Sequence, residues 1–139
     1  MSDPINFYPI AEKRPDLVRT RTGKPLDALT VQAVLDGEVS PADIAISPEA
    51  LRLQAGVARD AGWGKLAENL ERAAELADVP EEDLLQTYEL LRPGRAKRRE
   101  ELTAIAERLR SLYGAHRTAA LIDEAAEHYV RRGLFVRRY

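Results

Sequence analysis

With 139 residues, 45% of them hydrophobic and 32% charged, the chain is long enough to bury one core, and its formal net charge of −2 supplies no field that would draw nucleic acid or an anionic membrane. The absence of cysteine excludes disulfides, thiolate zinc sites, iron–sulfur clusters and cysteine nucleophiles. No apolar run reaches the ~20 residues of a membrane helix, and Met1-Ser2-Asp3-Pro4 lacks the basic start and apolar core of a signal peptide; a cytoplasmic location is expected.

Residues 1–25 differ from the rest. Pro4, Pro9, Pro15 and Pro25 recur, and each disfavours helix at and before itself. Phe7, Tyr8, Ile10, Leu17 and Val18 lie among them, more apolar side chains than a disordered tail carries. The expectation is an extended arm whose side chains cover a surface, followed by a helical domain over 26–139.

From Asp27 onward the signals are helical. Thr30 to Leu35 makes a short helix stopped by Asp36-Gly37. Ser40-Pro41-Ala42-Asp43 reads as a cap with proline at the first helical position, good for about one turn. Ser47-Pro48-Glu49 repeats that start and opens a helix over about 48–61, ended by Gly62. Trp63, Leu66, Ala67, Leu70, Ala74 and Ala77 follow the spacing of one helical face, with Lys65, Glu68, Glu71, Arg72 and Glu75 opposite. Pro80 with Glu81, Glu82 and Asp83 places acids at the positive end of the next helix, whose expected buried stripe is Leu84, Leu85, Tyr88 and Leu91. Arg92-Pro93-Gly94 breaks it. Leu102, Ile105, Ala106, Leu109, Leu112 and Tyr113 form another stripe, closed by Gly114. A last helix, about 118–132, carries Ile122, Ala125, Ala126, Tyr129 and Val130 and ends at Gly133. The fold class is all-α: about five main helices joined by short turns, after an extended proline-containing N-terminal arm. A period-two pattern suggests itself only near the C-terminal tail.

Chemistry finds little to work with. Glu124 and His128 share a helix face, yet a carboxylate-bridged metal pair requires Glu-x-x-His motifs in duplicate, and neither His116 nor His128 supplies one. Gly62-Trp63-Gly64 follows a helix and lacks phosphate-loop spacing; it reads as a helix–helix corner. Arg92, Arg95, Lys97, Arg98 and Arg99 make one basic knot, and Arg131, Arg132, Arg137 and Arg138 another. Phosphate binding would use such arginines, but Glu-rich helices lie between the knots. Partner contacts or a solvated surface fit them better. No residue is assigned to catalysis, to a cofactor or to a metal.

The order and spacing of Leu53-Gln54-Ala55, Asp60-Ala61-Gly62, Leu66-Ala67-Glu68-Asn69, Arg72-Ala73-Ala74-Glu75-Leu76, Val79-Pro80 and Tyr88-x-x-Leu91-Arg92-Pro93 resemble the small (gamma) subunit of adenosylcobalamin-dependent diol and glycerol dehydratases. Ile105-Ala106 and Glu124-Ala125-Ala126-x-x-Tyr129-Val130 extend the likeness toward Arg132. The resemblance implies a lyase complex that turns propane-1,2-diol or glycerol into an aldehyde and water through an adenosyl radical. It further implies that substrate and essential metal lie in a large barrel subunit and that adenosylcobalamin sits between large and medium subunits. The complex would be a heterohexamer, a dimer of three-subunit units, with the small subunit packed on the large one. This chain alone would bind no cofactor and be inactive. Trp63-Gly64, Gly94 and Ala96-Lys97 depart from the family pattern, as does the apolar, basic ending from Leu134 to Tyr139. The long extension associated with microcompartment targeting in some members is not seen, which leaves such association open.

Phe7, Tyr8, Ile10, Leu17, Arg92, Pro93 and Arg95 are the candidate partner-interface residues. The alternative is a freestanding helical interaction or regulatory module. A choice between glycerol and propane-1,2-diol lies outside this polypeptide.

Overall fold

The computed structural model describes residues 4–135, with side chains from Asn6 onward. Eight α-helices follow one another: α1 (Ile10–Lys13), α2 (Val31–Leu35), α3 (Pro41–Ile44), α4 (Pro48–Asp60), α5 (Gly64–Leu76), α6 (Glu81–Leu91), α7 (Arg99–Tyr113) and α8 (His116–Arg132). Short 3-10 turns at Pro4–Phe7, Pro15–Leu17 and Leu26–Ala28 punctuate the first part. Among the described residues there is no strand; a single isolated antiparallel bridge joins Arg19 to Pro25. The five long helices, α4 to α8, are the five expected from spacing and punctuation. The suggested period-two tail falls largely on 136–139, outside the described residues, as do Arg137 and Arg138.

The start signals act as their chemistry requires. The Thr30 hydroxyl accepts the Ala33 amide at 3.1 Å, and the Ser47 hydroxyl accepts the Ala50 amide at 3.1 Å. Ser40 and Asp43 make a reciprocal capping box, with Pro41 at the first helical position. Gly114, at φ 64°, ends α7 in the left-handed region, which lets the Ala115 amide reach back to the Leu109 carbonyl at 3.1 Å.

The chain divides into two compact units, residues 1–77 and 78–139. In the first, α4 and α5 form a hairpin across the Ala61–Trp63 turn. Their contact is built on Ala55, Ala58 and Ala67, with Leu70 packed alongside; side chains this small let two helix backbones approach closely. The Arg59 guanidinium donates to Glu71 Oε1 across the pair. In the second unit, α7 and α8 form another hairpin, and its core is larger. Leu102, Ile105, Ala106 and Leu109 face Ala119, Ile122 and Ala126, all buried. Arg110 to Asp123 at 2.7 Å, and Arg99 to Glu127, tie the two helices at their edges.

Expected faces on four helices need correction. The spacing puts Trp63 and Leu66 on the same face of α5 as Ala67 and Ala74, yet they are 65% and 42% exposed. Ala67, Ala74 and half-buried Leu70 carry that packing instead. On α6, Leu85 and Tyr88 are 60% and 67% exposed, and the inward face is rotated to Asp83 and Thr87, with Leu84 and Leu91 half-buried. Leu112 and Val130 also face outward, beside the correctly placed Leu109 and Ala126. In each case helical spacing admitted two neighbouring stripes, and only packing selected one.

Candidate functional site

The first unit carries an apolar groove of about 630 Å³. The smaller part of its wall comes from the proline-punctuated N-terminal segment, through Tyr8, Ile10, Leu17 and Val18. The larger part comes from the α4–α5 hairpin, through Leu53, Val57, Trp63 and Leu66. The arm lies here because prolines deny it a long helix: Pro9 begins the single turn of α1, and Pro15 begins a 3-10 turn. The peptide before Pro9 is cis. Phe7 is half-buried beneath the Arg14 guanidinium, 5.0 Å from its ring centroid, and Arg14 also pairs with Asp16. Charge assistance from Arg14 and the hydrogen bond between them hold the Asp16 carboxyl below its ordinary range.

Of the candidate interface residues, Tyr8, Ile10 and Leu17 are thus gathered on one groove, with Phe7 next to it. Arg92, Pro93 and Arg95 lie in the second unit, all exposed, just beyond α6. Arg92 and Arg95 share one carboxylate: Glu89 Oε2 is 3.2 Å from Arg92 and Glu89 Oε1 is 2.9 Å from Arg95. Leu85, Tyr88 and Arg92 follow each other along one side of α6 at three- and four-residue steps, so the basic corner continues into an apolar strip. Sequence reading missed Trp63, Leu66, Leu85 and Tyr88 as surface residues. The available signal on α6 was its excess of large apolar residues, Leu84, Leu85, Tyr88, Leu90 and Leu91, too many for one buried face.

Two buried carboxylates anchor the units. Asp43 is 3% exposed; it accepts the Ser40 amide at 2.6 Å, the Ser40 hydroxyl at 3.0 Å, the Lys24 ammonium at 3.0 Å, and the Thr22 hydroxyl. These donors, Thr22 foremost, hold its carboxyl well below the usual carboxylate range. Asp83 accepts the Tyr113 hydroxyl and two parallel bonds from Arg108, each 3.1 Å. Its carboxyl is likewise depressed, Tyr113 being the first cause and Arg108 the second, and the Tyr113 phenol is raised in return. Every carboxylate oxygen of these two residues faces a donor belonging to the fold, the pattern of a structural anchor rather than of a poised acid or base.

His116 and His128 are both exposed on α8; His128 lies 3.7 Å from Glu124 and 3.0 Å from Arg131. Among the described residues no group of three or more His, Asp or Glu is placed to hold a metal ion, and no helix is long and apolar enough to cross a membrane.

These features describe a helical protein with apolar and basic outward surfaces and polar clusters turned to its own architecture. Comparison with known proteins accords with that description. The family profile described as "Dehydratase small subunit" matches residues 4–135. The chain is 48% identical over 128 residues to a propanediol dehydratase small subunit of Salmonella typhimurium, covering 92% of this chain and 73% of that one. It is 49% identical over 128 residues to the propanediol dehydratase small subunit of Citrobacter freundii, covering 92% and 74%. The chain belongs to the dehydratase small-subunit family, and a small subunit has partner subunits.

Proposed function

We propose that the chain is the small subunit of an adenosylcobalamin-dependent dehydratase acting on propane-1,2-diol or glycerol, and that its contribution is assembly. The observation that carries this is the relationship to two propanediol dehydratase small subunits over nearly the whole chain. The groove of the first unit and the Leu85–Tyr88–Arg92 strip with Pro93 and Arg95 are its surfaces for the large subunit, with Phe7, Tyr8, Ile10 and Leu17 engaged at the groove. The large and medium subunits hold substrate, metal and cobalamin, in a dimer of three-subunit units within the cytoplasm.

The groove of this chain does not suit the cofactor. Gln54, the Tyr8 hydroxyl and the Trp63 indole are the polar side-chain groups on the groove wall. A corrin rim studded with amides needs many hydrogen-bond partners to leave water. Cobalamin therefore contributes radical chemistry elsewhere in the complex, and no step passes through this chain.

Reconstitution tests the proposal. Large and medium subunits are mixed with adenosylcobalamin and propane-1,2-diol, with and without this chain. Stable assembly and sustained aldehyde formation are expected only when it is present, and the chain alone should be inactive. Turnover by the isolated chain, or an active complex of unchanged stability without it, overturns the reading.

A further inference from the structure

Part of the groove wall is not part of the α4–α5 hairpin, so the position of the arm decides how open the groove is. The turn at Pro4–Phe7 packs against α4; beyond it α1 is one turn long, and its residues are exposed or half-buried. A tight loop ends it. The Thr20 amide donates to the Lys24 carbonyl at 2.9 Å, the Gly23 amide to the Thr20 carbonyl at 2.9 Å, and the Lys24 amide to the Thr20 hydroxyl at 2.8 Å. Gly23 sits at φ 93°, where a side chain would strain the turn. The loop is thus rigid by its own bonds, and it projects three side chains into the rest of the unit.

Each of the three meets a partner distant in sequence. The Thr22 hydroxyl donates to Asp43 Oδ1, and the Lys24 ammonium to Asp43 Oδ2 at 3.0 Å and to the Glu38 carbonyl. Arg21 donates to the Ile46 carbonyl at 3.1 Å and to the Ala77 carbonyl, just past α5, at 3.3 Å. One loop therefore binds the segment before α3, α3 itself, the segment before α4 and the end of α5.

We propose that the Thr20–Lys24 loop is a clasp on the buried Asp43 carboxylate that positions the arm and so fixes the width of the partner groove. Asp43 is a positioning residue, and the proposal rests on the reading that the groove serves assembly. The clasp accounts for the arm-side donors on a carboxylate whose Oδ2 alone takes the Ser40 cap bonds: Thr22 supplies the bond to Oδ1, and Lys24 adds its charge at Oδ2. Capping needs the Ser40 bonds; it does not need Thr22 or Lys24.

Amide hydrogen exchange on the full chain tests it, with a Thr22→Val, Lys24→Met double variant that spares the Ser40–Asp43 cap. The reporters are the Arg14, Val18 and Thr20 amides, each hydrogen-bonded within the arm. The Ala67 amide, bonded to the Trp63 carbonyl, is the control in the hairpin. The arm amides should exchange about tenfold faster and the control at its original rate, as for a local opening that has lost charge-assisted bonds. A Thr22→Ser, Lys24→Arg variant keeps the donors and should restore protection. Unchanged arm exchange overturns the clasp. So does equal acceleration of arm and hairpin, or a conservative variant as loose as the disruptive one. These rates are read without a partner, so a failure of the assembly reading would show in reconstitution and leave them untouched.

Discussion

The two units solve the burial problem differently. The fully buried large side chains, Leu102, Leu109 and Ile122, all belong to the second unit, where α7 and α8 enclose them. The first unit closes its hairpin on alanines and leaves Tyr8, Trp63, Val31, Leu35, Ile44 and Ile46 largely outside. Alanine removes little area from water, whereas a buried leucine or isoleucine contributes ~1.5–3 kcal/mol. The second unit therefore draws stability from its own core. The first relies on short caps, a carboxylate anchor and surfaces still open to a partner. Exposed apolar area of this extent is costly in a free monomer and useful in a subunit.

The contrast is most strongly tested in the second unit. Leu109→Asp should abolish cooperative unfolding there, because an unpaired carboxylate in that core costs several kcal/mol. Leu102→Ala should cost ~2–5 kcal/mol through lost burial and a cavity; thermal or denaturant unfolding measures both. A Leu102→Ala loss under ~1 kcal/mol would mean that the α7–α8 core does not dominate.

Leu66→Asp and Trp63→Ala should behave in the opposite way. Trp63 is 65% exposed and Leu66, at 42%, is far more open than Leu109, so melting should shift much less than for Leu109→Asp, by ~1 kcal/mol or less, while capture of the large subunit in a pull-down should fall sharply. Melting that collapses with normal capture per folded molecule would return these residues to the core.

Acid sharpens the comparison further. Asp43 and Asp83 are both depressed in the folded state, so their contribution is fully present above the unfolded carboxylate value of ~3.9 and is lost as pH falls through the lower folded values. Asp43→Asn should be less stable than the parent near neutrality and lose less on acidification, read by circular dichroism from pH 6 to 2. Parallel acid curves for variant and parent would show that Asp43 is not linked to folding. The smallest effect belongs to Arg92→Ala. Its ion pair with Glu89 is half exposed, worth ~0.2–1 kcal/mol, so unfolding should barely move while binding to the large subunit weakens measurably.

Punctuation was the most legible layer of the sequence. Ser47-Pro48, Pro80 with its acids, Gly62, Gly114 and Gly133 act within one turn of chain, so their partners are their own neighbours, and the helix ends fell within about two residues of expectation. The α7–α8 stripe was equally readable at Leu102, Ile105, Ala106 and Leu109, since charged residues separate it on both sides. The α6 stripe was not. Apolar residues occur all around that helix, and the choice of Asp83 as an inward residue depends on Arg108 and Tyr113, far along the chain. The candidate surface was half legible: the prolines and apolar residues of the N-terminal segment stand out in the sequence, but the spacing of Trp63 and Leu66 does not tell an outward wall from a core face.

By itself, then, the sequence determined the all-helical class, the five long helices, the absence of thiol chemistry and, through the order of its motifs, the family. All of these depend on local bonds or on composition, which the chain carries wherever it lies. The tertiary structure alone decided which of two adjacent stripes each helix buries, which carboxylates become anchors, and that the arm faces Trp63 and Leu66 across an open groove. Those outcomes depend on donors and apolar surfaces brought together from distant parts of the chain, and helical periodicity carries no information about what will stand opposite.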